Sequence, residues 1–138
     1  MTFNLGPQTA TIPHTDSLNL AFGWCSIIAL GNFNPDEGGE LVLWNLKLVV
    51  RFPPGSTIFI PSAIIKHSNC PVVGPKRRYS ITQWSAAHIF RWVENGFAND
   101  SFINQIATKE EKEQRKQHQK KRWEEGLSKY STLQELLQ

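Results

Sequence analysis

Through the first 85 or so residues the apolar positions come in short runs, broken repeatedly by Gly, Pro and Asn, without helical spacing. Residues 1–13 are turn-rich, with Pro7 and Pro13 flanking Thr9 to Ile12, and leave room for at most one short strand. Residues 20–30 (LAFGWCSIIAL) are apolar almost throughout, and Cys25 to Leu30 reads as a buried strand. Asn34-Pro35-Asp36-Glu37-Gly38-Gly39 is a turn, because Pro and Gly supply the backbone angles that turns require. Glu40 to Trp44 follows as a strand, with Asn45-Leu46 as a tight connection into a second run, Lys47 to Phe52. Another turn at Pro53-Pro54-Gly55-Ser56 leads into the β-rich Thr57 to Ile60. Pro71 to Pro75 is a loop or short edge strand. From Arg78 to Ser85, Tyr79, Ile81 and Gln83 alternate with Ser80, Thr82 and Trp84, the period of a strand with two unlike faces. Six to eight short strands separated by Gly/Pro turns predict an all-β sandwich or barrel, of which a jelly-roll or cupin-like double-stranded β-helix is the natural choice.

The pattern changes after Ser85. Ile89 to Glu94, with Asn95-Gly96 behind it, predicts a short helix with a Gly stop. The run KEEKEQRKQHQKKRWEE, Lys109 to Glu125, has strong helix formers and almost no apolar face. It is expected to be a solvated helix or a partly disordered tail. The division expected is therefore a β domain over 1–97 and a charged helical appendage over 98–138.

Composition adds limits. No apolar run approaches the length of a membrane span. The net charge of +3 is mild and neither demands nor excludes a nucleic-acid partner; the cluster Lys76-Arg77-Arg78 is the stronger hint. Two cysteines in a chain of this size read as free thiols in a reducing compartment, so an intracellular location is expected.

The candidate chemistry lies in His14-Thr15-Asp16, a lone His67 about fifty residues on, and Arg78-Tyr79-Ser80. Each alone is weak. A His two residues from an Asp is common by chance, and a single His or Arg is more often structural. Jointly, two imidazoles and one carboxylate can occupy one face of Fe(II) and leave the other positions open. Pro13 ahead of the pair and the apolar run behind it suggest that His14 and Asp16 stand at the start of a strand. In Arg78-x-Ser80 both side chains share one strand face, so a guanidinium and a hydroxyl can hold the same carboxylate.

On these residues the chain resembles the Fe(II)- and 2-oxoglutarate-dependent dioxygenases. The likeness also takes in Gly38 to Trp44, Phe52 to Ser56, Pro61-Ser62, His67 to Asn69, Arg78 to Gln83 and Phe90 to Val93. Asn19, three residues after Asp16, makes it more similar to the TET/JBP-like branch, of the transposon-associated kind found in fungi.

The resemblance implies that His14, Asp16 and His67 bind iron, that Arg78 and Ser80 bind 2-oxoglutarate, and that Asn19 faces the substrate. It implies an O2-dependent hydroxylation with release of succinate and CO2. The substrate would be the methyl group of 5-methylcytosine or thymine, in DNA whose modified base is flipped from the duplex, and a DNA substrate would make the protein nuclear. Only 13 residues precede His14, where such proteins usually carry bracing elements, so an N-terminally shortened domain is expected. The alternative is a catalytically inactive barrel that serves as a binding module.

Overall fold

The computed structural model describes residues 1–138. The strands are β1 (Thr2–Asn4), β2 (Thr11–His14), β3 (Cys25–Asn32), β4 (Leu41–Leu43), β5 (Leu48–Val50), β6 (Thr57–Ile60), β7 (His67–Asn69) and β8 (Arg77–Gln83). Four helices follow: α1 (Ala87–Glu94), α2 (Asp100–Ile106), α3 (Lys109–Leu127) and α4 (Leu133–Leu136). The strands make two four-stranded antiparallel sheets, in the orders β1-β8-β3-β6 and β2-β7-β4-β5. This is the double-stranded β-helix architecture that the turn-punctuated pattern predicts.

By compactness the chain divides into two units, Met1–Ser85 with all the strands and Ala86–Gln138 with all the α-helices. The core of the first unit follows from the period of two. Cys25, Ile27 and Ala29 of β3 and Leu41 and Leu43 of β4 point inward and are buried, together with Phe33, Phe52, Ile60 and Val72. On β8 the alternation is inverted in chemistry: the polar Arg78 and Ser80 are buried while Tyr79 and Ile81 are only half-buried. A strand that buries its polar face has a polar cavity to line.

Three local readings change. Residues 1–13 hold two strands, because Thr2–Asn4 is an edge strand whose hydrogen bonds go to β8, and three residues are too few to announce themselves without that partner. The His14-x-Asp16 pair stands at the end of β2, with turns rather than a strand behind it. His67–Asn69 is a strand: short and wholly polar, it is held because both of its edges are paired, to β2 and to β4.

In the second unit, α3 is a regular helix with a capping box, in which Thr108 and Glu111 satisfy each other's exposed amides. Asp100 gathers Arg91, Asn95 and Arg115, and Arg122 pairs with Glu94. Leu133, Leu136 and Leu137 are exposed. No helix is long and apolar enough to cross a membrane.

β3 and β8 approach closely at Gly31, which pairs with Arg78 and has φ 125°. A Cβ there would lie 2.1 Å from the Arg77 carbonyl oxygen. Gly31→Ala should therefore cost upward of about 3 kcal/mol, since backbone strain of about 1–3 kcal/mol adds to a clash with main chain. Gly55 also has positive φ, 85°, but a Cβ there meets nothing within 4 Å. Gly55→Ala should cost only about 1–2 kcal/mol. Urea midpoints of the two variants test the contrast, and equal losses would mean that the β3–β8 contact is not the tight one.

Candidate metal centre

His14 and His67 are direct partners across the β2–β7 ladder, so one pair of strands sets both imidazoles side by side, ring centroids 4.5 Å apart. Each ring is turned the same way. His14 Nδ1 lies 2.8 Å from the Ile12 carbonyl oxygen and His67 Nδ1 lies 2.9 Å from that of Ile65. A carbonyl can only accept, so Nδ1 carries the proton in each ring and the Nε2 lone pairs are left for a metal. Asp16 enters from the turn after β2, with Oδ1 3.5 Å from His14 Nε2. Ligand atoms from the three residues lie within 4.8 Å of one another.

His67 is buried, whereas the His14 and Asp16 side chains are about a third exposed, so the site has a closed back and an open front. The front is a cavity of about 520 Å³, within the range of small-molecule sites, whose walls include His14, Asp16, Asn19, His67, Asn69, Arg78, Ser80 and Trp84. All six residues singled out from the sequence thus meet in one cavity.

Arg78 is the bulkiest of the fully buried side chains. Its Nη1 donates to the Thr9 carbonyl at 3.1 Å, but its buried Nε has no partner in the protein. Burial pulls the guanidinium below its ordinary pKa, Cys70 opposing this weakly. A buried cation with an unsatisfied donor beside a cavity fits an anionic guest, since an unmade hydrogen bond of a charged group is costly. Ser80 Oγ accepts from Asn4 Nδ2 at 3.0 Å, which leaves its own proton to donate. Two imidazole nitrogens, one carboxylate and a nearby guanidinium therefore fit a divalent iron with a 2-oxo acid.

Residues 2–86 match the profile of the 2OG-Fe(II) oxygenase superfamily. The chain belongs to that superfamily. The double-stranded β-helix also matches a solved structure, NgTET1 in complex with 5mC DNA, with a TM-score of 0.54 and 23% sequence identity. The match covers 62% of this chain and 33% of that one, so the likeness speaks for the fold and spans about a third of the solved chain. No curated protein gives a match.

Sequence reasoning overlooks the residues that brace these side chains. Asn69 lies two residues after His67, on the same face of β7, and its Nδ2 donates to the Thr9 carbonyl at 3.0 Å. The His-x-Asn spacing carries the same signal as Arg-x-Ser, so Asn69 was open to detection. Thr9 and Ser62 have no such signal, because their part depends on which distant residue comes to lie against them. His88 is exposed on α1, in the second unit.

Arg78→Met removes a buried cation while keeping side-chain volume. Without added ligand the variant should be as stable as the parent, or more stable by up to about 2 kcal/mol, since a buried charge is commonly worth less than its apolar replacement. Thermal and urea unfolding check this; a loss of several kcal/mol would mean that the protein itself already satisfies Arg78.

Proposed function

We propose that this chain is the catalytic domain of an Fe(II)- and 2-oxoglutarate-dependent dioxygenase of the TET/JBP-like kind, hydroxylating the methyl group of 5-methylcytosine or thymine in DNA. What supports the reading above all is the meeting of the His14–Asp16–His67 cluster with buried Arg78, whose Nε is unpartnered, around one cavity. When bound, iron and 2-oxoglutarate with O2 supply the oxidising chemistry, the cosubstrate leaving as succinate and CO2.

The residues of the chain bind and orient. His14 and His67 offer two neutral nitrogens, fixed in tautomer by their Nδ1 hydrogen bonds, and Asp16 offers the one negative charge. Arg78 would hold the far carboxylate of 2-oxoglutarate, with the Ser80 hydroxyl as a second donor to the same group. The buried back wall, with His67 and Ser68, keeps bulk water from that side, so reactants reach the metal through the mouth. At the mouth, Asn19 would meet the substrate and the half-buried Trp84 would offer a flat face to a flipped base. The methylated-base assignment draws on the fold shared with NgTET1, whose solved complex contains 5mC DNA.

The test is an anaerobic titration of the whole chain with Fe(II) and then 2-oxoglutarate, read by the weak visible charge-transfer band of the ternary complex. The band should form with the parent chain and be lost in Asp16→Ala and Arg78→Ala. Under air, a duplex carrying 5-methylcytosine should then yield hydroxymethylcytosine by nucleoside mass spectrometry, with one succinate for each oxidised base. No band from the folded parent would overturn the iron and cosubstrate assignment. A band without turnover on any methylated duplex would instead make the domain a binding module.

A further inference from the structure

Asp16, unlike the two histidines, is not on a strand. It stands in a turn, half-buried, and nothing in the β-ladders decides which way its carboxylate points. Two residues supply that decision. Asn19 Nδ2 donates to Asp16 Oδ2 at 3.2 Å and to Ser62 Oγ at 3.0 Å, so both protons of the amide are engaged. A carboxylate accepts only, which fixes the amide with its nitrogen toward Asp16. The backbone repeats the link: Asp16 N donates to the Ser62 carbonyl and Asn19 N to the Asp16 carbonyl, each at 2.9 Å.

Ser62 is the rigid end of this chain of bonds. It is 1% exposed, lies two residues beyond the end of β6, and returns its own N–H to the Ile60 carbonyl at 2.9 Å. Burial raises the pKa of the thiol of Cys25, the first residue of β3, and the neighbouring Ser62 hydroxyl opposes that rise. The turn carrying Asp16 is thus tied to the β3–β6 edge of the opposite sheet.

We propose that Ser62, acting through Asn19, is a positioning residue that holds Asp16 Oδ2 away from the metal and aims Oδ1 at it, beside His14 Nε2. This rests on the reading of His14, Asp16 and His67 as the metal ligands. It gives Asn19 a task toward the metal in addition to any toward the substrate. It also makes Ser62, a buried serine outside the cavity lining, a determinant of metal affinity.

The experiment uses Co(II) as a spectroscopic probe on the full chain, with no 2-oxoglutarate and no DNA, and reads the dissociation constant from the visible absorption of the bound ion. Asn19→Leu keeps the shape of the side chain and removes both hydrogen bonds; Ser62→Ala removes only the hydroxyl. Outer-shell partners of metal ligands are commonly worth about 10- to 100-fold in affinity, so Asn19→Leu should weaken Co(II) binding within that range and Ser62→Ala by about 10-fold. The double variant should be no weaker than Asn19→Leu alone, because the serine acts through the asparagine. Circular dichroism confirms folding, and if Ser62→Ala does not fold, the effect of Asn19→Leu decides. If Asp16→Ala abolishes binding while Asn19→Leu and Ser62→Ala bind as the parent does, or if their effects simply add, the positioning role is overturned and the ligand assignment stands. If Asp16→Ala itself binds Co(II) as the parent does, the ligand assignment falls and the positioning role falls with it.

Discussion

The pairing of β2 with β7 is the constraint on which the site depends. It makes His14 and His67 neighbours, and side-chain hydrogen bonds reinforce its short ladder. Asn69 accepts from the Thr11 hydroxyl at 2.8 Å through Oδ1 and donates to the Thr9 carbonyl through Nδ2, holding residues 9–11 ahead of the irregular register between Thr11 and His14. The same Thr9 carbonyl accepts from Arg78, while Arg78 N donates to the Pro7 carbonyl and Thr9 N to that of Arg78. Residues 7–14 therefore run from contacts with β8, which carries the guanidinium, into β2, which carries His14 and pairs with the strand of His67. One stretch of backbone sets the distance between them.

This arrangement draws on the interior. Besides nine apolar side chains, the buried set contains Ser62, His67, Ser68, Asn69, Arg78 and Ser80. Polar groups there stabilise the fold only when satisfied, and most are: Ser68 Oγ accepts from Trp44 Nε1, Ser80 from Asn4, Ser62 from Asn19. Arg78 Nε is the exception, and it belongs to a side chain that lines the cavity. An unsatisfied donor in an otherwise bonded network is the local inconsistency that functional sites carry and the rest of the fold must offset.

Much of the first unit was legible in the sequence because its strands are bounded by Gly/Pro turns and because β3 and β4 bury clean alternating faces. The parts that were not legible share a cause. β1 and β7 are three residues each, and a three-residue strand exists only through its neighbours. The placement of the His14-x-Asp16 pair at the end of a strand was missed because the apolar run after it, residues 20–24, forms turns before β3 begins at Cys25. Helix α2 was overlooked because seven residues capped by Asn99 show little periodicity, whereas α3 was legible from its helix formers.

By itself the sequence determined the chemistry at hand: which side chains could ligate a metal, which cation could hold a carboxylate, and that the carrier would be short strands joined by tight turns. Those properties reside in residue type and in spacings of two, both local. Only the tertiary structure decided that His14 faces His67, that Asn69 braces the Thr9 carbonyl on which Arg78 rests, and that Asn19 and Ser62 grip Asp16. Each of these hydrogen bonds, apart from the local Asn19–Asp16 contact, joins residues more than forty positions apart. Such bonds arise from strand register and sheet stacking, which single-residue chemistry does not encode at either end.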